Sequence, residues 1–337
     1  MAEASGGSVA SGEATGARGR RAAVVFNPTK VERAGLEKVV GAAEKTAGWG
    51  PSLWLETSAE DPGTGMARQA VDEGCAVVLG VGGDGTIRAV AEGLRGSGVP
   101  LGLCPQGTGN LLARNLELTL DNLPESVKAA FEGVARPVDL GIAAWTRESG
   151  DREERTFVVM AGMGLDAQIM SSADEKLKKK FGMVAYVKAG LESLRKNHRM
   201  RLQYRLDDDA PQRARVHTVL VGNCGSIGGN VLLMPDAAVD DGVLDVVAVE
   251  PQGRFGWVRV AWKVLVDNAI FRGRKRSQGG NRELSYQQCR RIEVWLREPE
   301  EIELDGDHFG EVTSVTVTVE PKGLQVMMPA GWEPSAA

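Results

Sequence analysis

Long apolar runs are missing from this chain. The longest, at residues 75–81 and 243–249, fall far short of the roughly 18 to 20 residues needed to cross a bilayer, which excludes a membrane span. Residues 1–21 are rich in Gly, Ala and Ser and carry Arg18, Arg20 and Arg21, yet they lack the apolar core of a secretory signal. They read as a flexible tail. Cysteine pairs are missing too: Cys75, Cys104, Cys224 and Cys289 show no CxxC spacing and lie mostly in apolar runs. Buried reduced thiols in a reducing cytoplasm are expected rather than disulfides or a zinc site. Nor is one sign of charge in excess. Forty basic against 45 acidic residues give a net charge of -5, which argues against a dedicated nucleic-acid binder while leaving local basic patches open. With 42% hydrophobic and 25% charged residues over 337 positions, disorder is excluded as the main state. The length suits two domains, each with its own core.

What is present falls into two halves. From residue 22 to about residue 137, short apolar runs at 23–27, 53–57, 75–81 and 101–105 alternate with helically spaced segments such as 36–46 and 66–73. That order predicts a parallel sheet with helices on both faces. From residue 138 to about 330 the period becomes two, as in Met200, Leu202, Tyr204 and Leu206, in Ile292, Val294 and Leu296, and in Val315, Val317 and Val319. This predicts antiparallel strands in a sandwich or barrel, interrupted by helices at 177–195 and 255–268. Residues 331–337 form a short tail. No repeat or low-complexity linker separates the halves, so the boundary near residue 137 is a change of period.

Three predicted strand ends carry unusual chemistry. The first runs into Asn27, Pro28, Thr29 and Lys30; the third into Gly82, Gly83, Asp84, Gly85 and Thr86; the fourth into Gln106, Gly107, Thr108, Gly109 and Asn110. Ligands of open parallel sheets bind beyond the carboxyl ends of the strands. Glycine lets a phosphate approach backbone amides, and Thr86 and Asn110 suit helix N-caps. One such loop is an ordinary tight turn; three at neighbouring strand ends predict a phosphate-binding cleft. Residues 80–85 also satisfy GxGxxG, so a dehydrogenase is a rival, but the motif follows the third strand when it should follow the first. Asp84 also places a carboxylate where pyrophosphate charge would collect. A carboxylate there makes sense beside Mg²⁺ or beside a hydroxyl being phosphorylated, which favours a nucleoside triphosphate.

These residues resemble the diacylglycerol kinase catalytic-domain family, in particular the bacterial lipid kinases related to sphingosine kinases and more distantly to NAD kinases. The most specific matches are the loops at 82–86 and 105–110, with Asn27 and Pro28 upstream and Val138, Asp139, Leu140 and Gly141 at the boundary. Segments 162–166, 235–237, 240–245 and 305–307 extend the resemblance through the second half. It implies an N-terminal doubly wound α/β nucleotide domain, a C-terminal antiparallel β-sandwich, and ATP-dependent phosphorylation of a lipid hydroxyl in the cleft between them. Carried over, ATP would meet Asn27, Pro28, Thr29, Lys30, Thr57, Gly82, Gly83, Asp84, Gly85, Thr86, Gly107, Thr108 and Asn110. Asp241, with the backbone carbonyls of Ala238 and Val243, resembles a structural Mg²⁺ site, and its oxygen donors suit that hard cation.

The residue matching the family's catalytic glutamate is Asp307, one methylene shorter. Three readings stand: Asp307 is the general base in a slightly deeper cleft, Asp305 shares the role, or activity is reduced; the first is favoured. On spacing alone, Asp305, Gly306 and Asp307 are a turn between strands. His308 is given no catalytic role. Arg88 stands where the family often has asparagine. Lys30 would neutralise a terminal phosphate, Asp84 would position a catalytic Mg²⁺, and Asp139 is either a partner of Lys30 or Arg136 or a solvated charge. Diacylglycerol is the first substrate expected; a sphingoid base, phosphatidylglycerol or NAD, or a non-catalytic regulatory role, are alternatives. Basic runs at 176–180 and 271–276 would bring the enzyme to a membrane surface as a peripheral protein, with no nucleic-acid partner. Residues 181–194 are core or an acyl-chain slot, and oligomeric state is open, a homodimer included.

Overall fold

A computed structural model describes residues 19–164, 199–226, 232–250 and 284–332. The helices expected at 177–195 and 255–268, both basic runs, the acyl-chain segment and most of each tail lie outside these residues.

The first half opens with four parallel strands, β1 (Ala22–Phe26), β2 (Leu53–Glu56), β3 (Val77–Gly82) and β4 (Leu101–Pro105), in the spatial order β4-β3-β1-β2. Helices α1 (Arg33–Ala47), α2 (Thr64–Asp72), α3 (Asp84–Leu94), α4 (Leu111–Asn115) and α5 (Leu123–Glu132) follow the strands. The strands are apolar throughout because both faces are covered. Ala23 and Val25 of β1 meet Ala67 and Ala70 of α2 and Val90 of α3, while Ala22, Val24 and Phe26 meet Leu36 and Val40 of α1 and Val127 and Phe131 of α5. Because β2 and β3 flank β1 on opposite sides, the chain reverses its direction of travel at β1, where open α/β sheets form a crevice.

The second half is antiparallel: β5 (Val134–Thr146), β6 (Arg152–Phe157), β7 (Met160–Met163), β8 (Met200–Leu206), β9 (Gln212–Val216), β10 (Thr218–Gly222), β11 (Leu244–Val249), β12 (Leu284–Cys289), β13 (Arg291–Leu304) and β14 (Asp307–Met328). The register of β13 slips between Trp295 and Glu300. Before the slip β13 pairs with β8, and after it with β7. One strand thus turns the corner between two packed layers, as bulged strands do in sandwiches. Trp145, Phe157, Leu202, Val221, Ile292, Ile302 and Val315 fill the space between the layers.

The two halves share backbone. The last residues of β14 pair with the first residues of β5, and Val326 lies beside Leu101 of β4 in parallel. The expected boundary at 137/138 therefore falls inside β5, and the C-terminal strand completes the first sheet. All four cysteines are free and buried, and burial pushes the Cys104 and Cys289 thiols up to about 12. Among the described residues no helix is long and apolar enough to cross a membrane.

Candidate functional site

The two glycine loops lie against each other. Gln106 N–H donates to the Gly82 carbonyl at 2.8 Å, and a Cβ at Gly107 would stand 2.7 Å from the Cα of Gly83, so a side chain at Gly107 would force the loops apart. Asp84 fastens the junction: its Oδ2 accepts the Asn110 amide at 2.9 Å and its Oδ1 the Leu111 amide at 2.6 Å. It therefore caps α4 from the other loop. The two capping expectations need correcting on this account. Gly83, not Thr86, is the N-cap of α3, and no side chain caps it; Thr86 is buried in the first turn. Asn110 does hold the N-cap position of α4, but in a left-handed conformation (φ 49°), and its side chain exchanges hydrogen bonds with the backbone of Gly107 at 2.8 and 2.9 Å.

The turn after β1 is built from its own side chains. Asn27 Oδ1 accepts the Thr29 amide at 2.9 Å and its hydroxyl at 2.7 Å, which leaves Pro28, Thr29 and Lys30 exposed at the sheet edge. Asn27 N–H bonds Val81 O at 3.1 Å and Thr57 N–H bonds Phe26 O at 3.0 Å, so the ends of β2, β1 and β3 meet here. Thr108 is exposed on the fourth strand's loop.

Asp307 comes to these loops from the other half. Asp305 and Gly306 form a two-residue hairpin turn with positive φ at both positions (51° and 88°), the geometry Asp-Gly favours, and Leu304 pairs with Asp307 across it. The Asp307 carboxylate lies over Gly85, whose Cβ, if present, would be 3.0 and 3.2 Å from its two oxygens. Its Oδ2 accepts Arg88 Nη2 at 2.9 Å and Nε at 3.2 Å. Arg88, 6% exposed, has its guanidinium 4.9 Å from the Phe309 ring centre and 4.0 Å from Glu92. Sequence reasoning marked Arg88 as a departure from the family pattern but missed this pairing. The readable signal was that Arg88 follows Asp84 by one helical turn and so shares its face; the partner 219 residues away had none.

Burial raises the Asp84 pKa, the Leu111 and Asn110 amides pull it back, and the charge of Asp307 pushes the same way as burial. Two carboxylates from two halves thus face one loop. The amides do not exhaust the acceptor sites of the Asp84 carboxylate, so a divalent cation fits here by charge and by donor type.

Asp305 departs from the expectation that it shares catalysis. Its carboxylate is buried and accepts the amides of Val158, Val159 and Met160 at 2.8 to 2.9 Å, which ties β7 to the hairpin and turns both oxygens to the backbone. Burial nevertheless pushes its pKa up to about 6. Asp139 also departs, being neither a partner of Lys30 or Arg136 nor solvated. Fully buried, it accepts the amides of Gly242 and Lys322, each at 2.7 Å. Its own N–H bonds Val239 O at 2.7 Å. Asp139 thereby anchors the 238–243 loop that carries Ala238, Asp241 and Val243. Asp241 Oδ1 accepts the Val243 amide at 3.1 Å, and burial together with the charges of Asp139 and Asp240 raises its pKa. A cation bound by the Asp241 carboxylate and loop carbonyls would relieve that crowding, although among the described residues no three His, Cys, Asp or Glu side chains converge as a metal cluster. His308 Nδ1 lies 3.1 and 3.2 Å from the carboxylates of Glu301 and Glu303.

Known proteins resemble this chain in sequence and in fold. Residues 21–143 match the family model of the diacylglycerol kinase catalytic domain, and residues 158–328 that of the YegS C-terminal NAD kinase beta sandwich-like domain. A Bacillus subtilis protein named diacylglycerol kinase is 27% identical over 92% of this chain and 97% of its own. A Pseudomonas aeruginosa protein named "Probable lipid kinase YegS-like" is 31% identical over 89% of this chain and 92% of its own. The crystal structure of a diacylglycerol kinase from Bacillus anthracis superposes with a TM-score of 0.66 at 16% identity, over 96% of this chain and all of that one. With two glycine loops apposed, a carboxylate brought across from the β-sandwich, and both halves matched, the chain belongs to the diacylglycerol kinase catalytic-domain family.

Proposed function

We propose that this protein transfers the terminal phosphoryl group of ATP to the primary hydroxyl of a membrane lipid, diacylglycerol first among them, giving phosphatidic acid. The observation that carries this reading is the seat of Asp307, on the sandwich hairpin, directly over Gly85 in the first glycine loop. Phosphoryl transfer asks a protein chiefly to position reactants and neutralise charge. The amides of Gly83 and Gly85 and the Gly107 loop would cradle the phosphates, with Lys30 at the exposed end. Asp307 Oδ1, the oxygen that Arg88 leaves free, would take the hydroxyl proton as the lipid oxygen bonds to the terminal phosphorus and the bond to ADP breaks. Asp84 would hold the catalytic Mg²⁺, which when bound supplies charge neutralisation across the phosphate oxygens. Asp241 with Ala238 and Val243 would hold a structural one.

ATP consumption with Mg²⁺, measured over a panel of diacylglycerol, sphingoid base, phosphatidylglycerol, polyprenol and NAD, tests the reading. Turnover of diacylglycerol above the others is expected. Turnover of NAD with none of any lipid would sink it.

A further inference from the structure

The outer face of the β9-β8-β13 layer carries an arrangement that the phosphoryl-transfer site does not use. Met200, Leu202 and Leu206 of β8 point into the sandwich, so Arg201 and Gln203 point out. Arg201 pairs directly with Arg215 of β9. Leu202 pairs with Leu296 and Gln203 with Trp295 on β13, so one further step of that register sets Arg297 beside Arg201 on its other side. Three arginines thus cross three strands in one row, and they line a hollow of about 560 Å³ together with Arg199, Met200, Glu298 and Glu300. The adjacent row is Arg213, Gln203 and Trp295. Trp295 is 40% exposed, one of two large apolar side chains left so open among the described residues, and the Arg205 guanidinium lies 5.9 Å from its ring centre.

Like charges set directly opposite each other destabilise a sheet. Arg201, Arg213, Arg215 and Arg297 have no ion pair among the described residues, whereas Arg205 and Arg291 of the same layer are both paired to Glu293. Among the described residues no ion pair relieves that cost. A row of guanidinium groups with no ion pair among the described residues, next to a half-exposed indole, complements a surface that is anionic above and apolar beneath. Nucleic acid fits less well, since Trp295 is the one exposed aromatic among the described residues and no second ring stands beside it to stack successive bases. Arg297 also lies on the strand that ends at the Asp307 hairpin, seven residues before Leu304, or roughly 20 Å at the rise of a β-strand.

We propose that this face docks the protein on an anionic bilayer, with Arg201, Arg215, Arg297 and Arg213 against the headgroups and Trp295 at their level. The inference rests on the lipid-kinase reading for its purpose but not for its test. Full-length protein is sedimented with phosphatidylcholine vesicles with and without phosphatidylglycerol. The wild type should bind only those containing phosphatidylglycerol, and added salt should release it. Arg201→Gln with Arg215→Gln should weaken that binding by at least about tenfold, and Trp295→Ser should weaken it further. With a short-chain dispersed diacylglycerol, the paired variant should turn over as the wild type does, and with diacylglycerol in vesicles it should be slower.

Unchanged vesicle binding in both the paired variant and Trp295→Ser overturns the docking face, even if the wild type phosphorylates lipid. So does equal binding to both vesicle types, or a loss confined to oligonucleotide binding. If the wild type binds through this face but turns over no lipid, the docking face stands and the lipid-kinase reading fails.

Discussion

Asp307 has one oxygen held by Arg88 and one with no hydrogen bond among the described residues, which makes their functions separable. Asp307→Ala should lower kcat for lipid phosphorylation by about 10³-fold, within the range for a lost general base, with the fold intact by circular dichroism. Near-normal activity would refute the base assignment. Arg88→Asn should lower kcat by about tenfold with little change in the KM for ATP, because it frees the carboxylate without touching the phosphates. Restoring the longer side chain in Arg88→Asn with Asp307→Glu should recover part of that loss, and additive kinetic effects across this double-mutant cycle would show that the pair does not act as a unit. Asp305 calls for a stability measurement. Its folded pKa, about 6, lies above its ordinary 3.8, so its contribution is full below about pH 4 and is lost as pH rises through 6. Asp305→Asn, whose amide group would meet backbone donors, should cost roughly 1–3 kcal/mol at low pH. In urea denaturation the gap to the wild type should narrow between pH 4.5 and 7; a gap that widened would contradict the burial argument.

At the scale of elements, the loops depend on each other more than on their own sequences. Gly107→Ala puts a Cβ 2.7 Å from the Gly83 Cα, backbone against backbone, so it should lower ATP affinity about tenfold or more and lower the Tm. A thermal shift with ATP reads both, and unchanged affinity would mean that the apposition is not needed for binding. The four parallel strands, the helices at 36–46 and 66–73, the period-two strands at 200–206, 292–296 and 315–319 and all three loops were legible in the sequence, because each rests on a local pattern: apolar runs for buried parallel strands, period two for the sandwich, glycine where backbones meet. What was not legible came from pairings across long separations. Asp84 capping α4, Asp305 binding the turn before β7, Asp139 anchoring the 238–243 loop and Arg88 meeting Asp307 each join residues with no shared local pattern. A carboxylate in a motif looks the same in the sequence whether it faces a ligand or a row of amides, and Asp305 and Asp307, two residues apart, fall on opposite sides of that distinction.

At the scale of the molecule, β14 denies the halves their independence. Val326 is fully buried in the core of the first half, on the strand that also walls the sandwich. Val326→Asp would bury a charge without a partner, and both halves should lose stability together in a single calorimetric transition. Two separated transitions, with the sandwich at its original Tm, would show that the shared strand does not couple them. That strand also bears on how the protein is made. Leu101 of β4 is synthesised 225 residues (326 − 101) before Val326, its neighbour on the open side, an interval of roughly 11 to 45 s at ordinary rates of synthesis. Until then the nascent parallel sheet carries a bare edge, open to pairing with other chains, and β14 acts as the closing clasp.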